Sequence, residues 1–250
     1  MTGPNTLRLA MWSGPRNIST AMMRSWGNRN DCTVVDEPLY AYYLATSGKP
    51  HPGAAEVIAA GQPNWQKVVA DLTLGHRPQA GMESAAIYYQ KQMTHHLLPE
   101  MDRAWLGKLT NCFLIRNPKE VLVSYSKVIE TPTLEDTGFP QQAEIFDWVR
   151  VHAGRIPPVL DAADVLKNPR RFLGLLCDAL GIDFQESMLS WPAGPRATDG
   201  VWAKYWYGEV EKSTGFRAYQ SKVIDLPAHL ADLNSECQTY YDRLYMNRLV

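Results

Sequence analysis

Two short stretches of this 250-residue chain hold residue types suited to gripping anionic groups. The first is Gly14-Pro15-Arg16-Asn17-Ile18-Ser19-Thr20. A turn between a strand and a helix points backbone N–H groups at whatever lies above the helix start, where the helix dipole adds partial positive charge. Arg16 contributes a full charge, and Ser19 and Thr20 contribute hydroxyl donors. Together they suit a phosphate or a sulfate. A Walker A loop would close with Gly-Lys-Ser/Thr; Asn17-Ile18-Ser19-Thr20 stands there instead, without the lysine. The same residues also fit an ordinary strand-to-helix turn with a Ser/Thr cap. The second stretch is FLIRNPKEVLVSYS, in which Arg116 ends a strand and Ser124 follows eight residues later. Asn117 is a plausible N-cap and Pro118 the first helical residue. Ser124 lies seven residues beyond that cap, close to two full turns, so it faces the side of the helix start. A phosphate on that face could take a fork from Arg116 and a hydroxyl from Ser124. The competing reading puts Arg116 in a salt bridge and Ser124 in a small packing gap.

These residues need a frame. Leu7 to Trp12, Cys32 to Val35, Ala85 to Met93, Asn111 to Ile115 and, weakly, Pro157 to Leu160 read as strands. Helical spacing follows at 18–26, 39–46, 65–74, 119–128, 141–156, 169–180, near 202–212 and at 226–249, with Gly181 a good C-cap for the helix before it. Residues 47–63 hold several Gly and Pro residues and read as a loop or lid. Alternation of strands and helices predicts an α/β fold, three layers α/β/α around a central parallel sheet. Ligands then sit beyond the carboxyl ends of the strands, and Gly14, Glu37, His95 and Arg116 all follow predicted strands directly.

The composition agrees with one domain spanning 1–250. Hydrophobic residues make up 45% and charged residues 20%, enough for a sizeable core and too apolar for a disordered chain. A net charge of -1 provides no global field for a nucleic-acid backbone, so affinity for phosphate must be local. Cys32, Cys112, Cys177 and Cys237 are dispersed, with no CxxC pair, which suggests reduced buried thiols in a cytoplasmic protein rather than a zinc site or disulfide framework. The first twelve residues read as a leader into a strand, and no run approaches the roughly 18 apolar residues that would span a bilayer.

Taken together, the two stretches resemble the sulfotransferases that use 3′-phosphoadenosine 5′-phosphosulfate. Gly14 to Thr20 is similar to the family's 5′-phosphosulfate loop, usually Pro-Lys/Arg-Ser-Gly-Thr-Thr, with Asn17 and Ile18 in place of Ser-Gly. Arg116-Asn117-Pro118 through Ser124-Tyr125 is similar to its 3′-phosphate motif. Asp161 to Leu166, followed by Pro169 and a helix ending Leu180-Gly181, resembles the acidic-Leu segment before the family's late Leu-Gly helix. The family's C-terminal Arg-Lys-Gly is absent; Lys212 to Arg217 is the candidate replacement. The resemblance implies a P-loop NTPase-like sulfotransferase fold that binds the nucleotide through Gly14, Pro15, Arg16, Asn17, Ile18, Ser19, Thr20, Arg116 and Ser124, and that needs no metal.

A sulfuryl group passes in line between two oxygens, so positioning and charge stabilisation dominate, as in phosphoryl transfer. The resemblance places Arg16 at the leaving phosphate oxygen, where an arginine acts electrostatically because it does not give up its proton. Lys91 is a second candidate cation. His95 follows its strand as the catalytic histidine of many family members does, and imidazole has the right ordinary pKa for a general base. His96 is adjacent and equally open, and Glu37, in a Glu-Pro-Leu segment like that of carbohydrate-modifying members, is a rival. These three also fit surface or structural positions. Trp191, Trp202, Tyr205, Trp206 and Tyr207 either cover the adenine or acceptor or pack in the core. The expected partner is a small-molecule acceptor with a hydroxyl or amine, with no nucleic acid or membrane; homodimerisation stays open. Two other readings remain: a phosphotransferase using ATP and magnesium, supported by Val34-Val35-Asp36-Glu37, and a non-catalytic nucleotide-binding protein on the same scaffold.

Overall fold

A computed structural model describes residues 6–75, 85–221 and 224–250. Residues 1–5, read as part of a leader, lie outside it. Five strands form one parallel sheet: β1 (Leu7–Ser13), β2 (Cys32–Asp36), β3 (Ile87–Met93), β4 (Thr110–Ile115) and β5 (Val159–Asp161), in the order β2-β3-β1-β4-β5. Successive residues of a strand face opposite sides. Leu9 and Met11 therefore enter one apolar layer with α1 (Ser19–Gly27) and a later helix at Pro169–Leu180, through Met22, Trp26, Leu173 and Leu176. Ala10 and Trp12 enter the other, with the helices at Trp65–Thr73, Phe139–Ala153 and Ala231–Tyr245, through Val68, Leu72, Ile145, Phe146, Tyr241 and Leu244. The result is the three-layer α/β/α arrangement with a central parallel sheet. Strands buried on both faces read as apolar runs rather than alternations, which is why β1 and β4 stand out in the sequence.

In chain order the remaining helices are α2 (Tyr40–Ser47), α3 (Ala54–Ala60), α4 (Trp65–Thr73), α5 (Pro118–Tyr125), α6 (Leu134–Thr137), α7 (Phe139–Ala153), α8 (Ala162–Lys167), α9 (Pro169–Leu180), α10 (Ala203–Trp206), α11 (Gly208–Glu211) and α12 (Ala231–Tyr245). Two expectations need correction. Residues 47–63 are not all loop: α3 forms there, burying Val57 between Gly53 and Gly61, whose punctuation hid so short a helix. The helix expected near 202–212 is two single turns, α10 and α11, interrupted at Tyr207, whose hydroxyl is held by Asp36. Asn117 caps α5 through Lys119 N–H, with Pro118 in the first turn, and α9 stops at Gly181 with φ 68°, as expected.

The sheet order determines where loops meet. β1 lies between β3 and β4, and Ser13 is in register with both Met93 and Leu114. The turns after these three strands therefore emerge side by side at one rim. β2 borders β3, with Asp36 opposite Lys91, which brings the turn after β2 to the same rim.

Candidate functional site

The loop after β1 is held by close backbone packing. A Cβ on Gly14 would lie 2.8 Å from the Thr137 carbonyl oxygen, which no side chain tolerates. Arg16 has φ 55°, and Glu37 has φ 41°; these are the two non-glycine residues with positive φ among the described residues. Such strain persists where the surroundings enforce it, often at binding sites. For Arg16 the enforcement comes from Asn17. Its Nδ2 donates to the Leu114 carbonyl at 2.9 Å, tying the loop to the end of β4, and its Oδ1 accepts from Ile18 N–H at 2.8 Å. Ile18 packs against the first apolar layer. Asn17 and Ile18 thus anchor this loop where the related motif carries Ser-Gly. Helix α1 then begins at Ser19 with no side-chain cap and no acidic residue in its first turn. The first N–H groups of a helix have no intrahelical acceptor, so this end is suited to an external anion.

The loop and the second stretch touch. Arg16 Nε donates to Ser124 Oγ at 3.0 Å, and Arg116 Nη1 donates to the Arg16 carbonyl at 2.6 Å. Arg116 Nε also donates to Glu120 at 2.9 Å, and the Tyr219 hydroxyl donates to the other oxygen of that carboxylate at 3.0 Å. Burial, then the neighbouring Arg116 charge, lowers the Arg16 pKa from its ordinary value. Two guanidinium groups brought together in this way repel one another and favour an anion between them.

Across the rim, Lys91 is a fully buried ammonium. Its Nζ donates to Asp36 at 2.9 Å, to the Tyr207 hydroxyl at 2.7 Å, and to Glu37. Tyr207 in turn donates to Asp36, which also accepts Gly200 N–H at 3.2 Å. Burial opposes charge on Lys91, yet Asp36 and Glu37 together hold its pKa well above the usual lysine range. Burial raises Glu37 above the usual carboxylate range, with Lys91 acting against it. Lys91, read from sequence as a second candidate cation, thus has its charge shared between two carboxylates. Glu37, read as a rival base, is one of them.

The turn after β3 is Thr94–His96, fastened by Thr94 Oγ1 to the Gly138 carbonyl at 2.9 Å. His95 and His96 are both buried, and neither Nδ1 has a partner among the described residues. Tyr43 meets His95 edge-on, with ring centroids 5.2 Å apart. His96 stacks on Tyr40 at 4.6 Å and on Tyr43 at 4.8 Å. Burial, then the His51 charge, pulls His95 down to about 3, and burial with His95 holds His96 well below its ordinary value. Both imidazoles are therefore neutral at pH 7. His51, absent from the sequence reading, joins them: its Nδ1 is 2.9 Å from the Tyr40 hydroxyl.

Residues from each of these groups meet at one cavity of about 440 Å³. Pro15 to Thr20, Glu37, Lys91, His95, His96, Arg116 and Ser124 line it, and Gly14 does not. The segment Lys212–Arg217 contributes Ser213, Gly215, Phe216 and Arg217, and Leu166 arrives from α8. Of the aromatic set, Trp206 and Tyr207 face the cavity, Trp202 and Trp191 are core, and Tyr205 is partly exposed, bonded to Glu56. Sequence reasoning missed Tyr40 and His51 as site residues, gave Asp36 a place only in the ATP-and-magnesium reading, and left Tyr207 between covering the ligand and packing in the core. The pairing of Asp36 with Lys91 depends on the register of β2 against β3, which carries no local signal. His51, in a Pro-His-Pro stretch, carries no pattern. Among the described residues no group of three His, Cys, Asp or Glu could hold a metal ion, and no helix is long and apolar enough to cross a membrane.

Comparisons with known proteins address the same frame. Solved structures of similar fold include a "Sulfotransferase Domain from the Curacin Biosynthetic Pathway" (15% identity, TM-score 0.51, covering 97% of this chain and 99% of that one). A second is the "Sulfotransferase Domain from the Synechococcus PCC 7002 Olefin Synthase" (15%, 0.50, 98% and 96%). A third is a sulfotransferase from Alicyclobacillus acidocaldarius (11%, 0.55, 100% and 98%). At these identities the likeness is one of fold. Two Arabidopsis thaliana proteins, "Branched-chain-amino-acid aminotransferase-like protein 1" and "2", are 36% and 34% identical over 233 residues. Those residues are 93% of this chain and 40% of each relative, so the chain spans about two fifths of their length. The family model "Sulfotransferase domain" matches residues 7–244, a span holding every strand and every cavity residue named above, and the chain belongs to that family.

Proposed function

We propose that the protein transfers a sulfuryl group from 3′-phosphoadenosine 5′-phosphosulfate to a small acceptor. The observation that carries this reading is the direct contact between the two anion-binding stretches: Arg16 Nε with Ser124 Oγ at 3.0 Å and Arg116 Nη1 with the Arg16 carbonyl at 2.6 Å, on one cavity wall. A single ligand with two anionic groups can engage both. The start of α1, with Ser19 and Thr20, takes the 5′-phosphosulfate, and Arg116 with Ser124 takes the 3′-phosphate. Arg16 stands between them and meets charge on the leaving phosphate oxygen. No metal is needed for this role, because guanidinium and amide groups already supply donors.

His95 is the proposed base. Its imidazole is unprotonated at neutral pH and has a buried nitrogen without a partner. An anionic donor entering the cavity favours the imidazolium and so raises its capacity to accept a proton. The acceptor oxygen forms a bond to sulfur as the bond from sulfur to the 5′-phosphate oxygen breaks. The acceptor proton goes to His95, and adenosine 3′,5′-bisphosphate leaves. Glu37 is less suited to this role because Lys91 already claims its carboxylate.

A ligand that binds only the folded state raises the melting temperature. Adenosine 3′,5′-bisphosphate is expected to do so, and AMP, lacking the 3′-phosphate, to do far less. Arg116→Ala should abolish the difference. If the bisphosphate and AMP shift the wild type equally, Arg116 and Ser124 do not read a 3′-phosphate and the proposal fails.

A further inference from the structure

We propose that the acceptor is an amine-bearing alcohol or phenol, with its ammonium seated at Glu37 among Tyr40, Trp206 and Tyr207 and its hydroxyl on His95. This rests on the sulfuryl-transfer reading and specifies its second substrate. The first support is a charge imbalance. Asp36 and Glu37 are two carboxylates that share one ammonium, Lys91. Arg24 is paired with Asp199 at 2.5 Å, Lys49 with Asp136 at 2.7 Å and Arg116 with Glu120 at 2.9 Å, while Arg16, bonded to the neutral Ser124 hydroxyl, is the cation that the nucleotide takes in the sulfuryl-transfer reading. Tyr207 and Gly200 contribute neutral donors only. Of the two carboxylates, Asp36 is enclosed by Lys91, Tyr207 and Gly200, whereas Glu37 lines the cavity. A cation entering there supplies the missing charge.

Backbone strain and wall chemistry point the same way. Glu37 is held at φ 41° immediately after β2, a conformation that costs energy and needs a reason. Tyr40, Trp206 and Tyr207 line the same cavity, and aromatic faces attract an ammonium. An independent observation calls for a hydroxyl: His95 and His96 are 6% and 1% exposed, line the cavity, and each leaves Nδ1 without a partner. A buried ring nitrogen without a partner is costly, and an acceptor O–H beside His95 would satisfy one of them.

The test uses matched ligands with the full chain saturated in adenosine 3′,5′-bisphosphate: tyramine against 4-ethylphenol, and 5-aminopentan-1-ol against hexan-1-ol, with affinity read by calorimetry at pH 7. In at least one pair the amine should bind about tenfold tighter or more, the scale of a hydrogen bond to a charged group. Glu37→Gln should bring that ratio to within about threefold. Equal or weaker amine binding in both pairs overturns the inference, as does a preference that survives Glu37→Gln. Should that variant not fold, the wild-type ratios decide alone. A bisphosphate that binds while neither amine is preferred sinks the acceptor assignment only; a bisphosphate that does not bind sinks the sulfuryl-transfer reading beneath it.

Discussion

His95 takes its character from its surroundings rather than from its type. In water an imidazole would be partly protonated near neutrality, but here burial among Tyr43, His96 and His51 keeps it neutral down to about pH 3. A base so depressed is weak until something negative arrives, so on the proposed reading its strength would rise when the nucleotide binds. His95→Ala should lower kcat by roughly 10²–10⁴-fold, the range for a general base, while leaving bisphosphate affinity nearly unchanged. Unchanged turnover in steady-state assays would move the base role to His96 or Glu37. Residue by residue, legibility depended on distance along the chain. Arg116 and Ser124 were readable together because helical pitch relates residues seven or eight apart. Lys91 and Asp36, 55 positions apart, meet only because β2 and β3 pair in one register. No local pattern encodes that register, so Lys91 read as a candidate cation with no partner named for it.

At the scale of elements, the segment from Ser190 to Arg217 depends on remote anchors. It has little regular structure beyond α10 and α11, yet it supplies Trp206, Tyr207, Ser213 and Phe216 to the cavity. Arg24 of α1 grips Asp199 through two hydrogen bonds, at 2.5 and 2.7 Å, with both side chains almost fully buried. Asp36 holds Gly200 and Tyr207. Removing one partner of a buried pair leaves an uncompensated charge and costs about 3–5 kcal/mol. Asp199→Ala should therefore lower stability by that amount in urea denaturation, and Arg24→Met combined with Asp199→Ala should lower it less than the single change. A single variant as stable as wild type would show that the pair does not fasten the segment. The long separation, 175 positions, explains why the sequence offered no sign of it. The regular elements were easier: runs buried on both faces, an Asn-Pro helix start and a Gly stop each act over a few residues. Short helices framed by glycine, such as α3, were not.

For the whole molecule, two buried imidazoles, His95 and His96, and the half-buried His51 affect the pH dependence of stability. Burial sets His51, His95 and His96 below their ordinary value of 6.5. Unfolded, each binds a proton as pH falls through about 6.5; folded, His95 does not until about 3. The unfolded state thus binds more protons across that window, and stability present above pH 6.5 is lost on acidification. The limiting slope is about 1.4 kcal/mol per pH unit for a histidine as strongly depressed as His95. Glu37 and Asp161, raised by burial, act in the opposite sense, so the informative quantity is a difference. Urea midpoints should fall between pH 7 and 5 in the wild type and fall less in His95→Ala. Parallel curves would mean His95 is not held neutral by the fold.

The contact between Arg16 and Ser124 has a consequence for discrimination. Arg16 is bonded to Ser124 and Arg116 to the Arg16 carbonyl, so on the proposed reading a nucleotide would bind by exchanging these partners for its phosphates. A ligand with phosphates at both ends would replace both bonds, and one with a single phosphate would replace one of them, so selectivity would follow from the internal bridge.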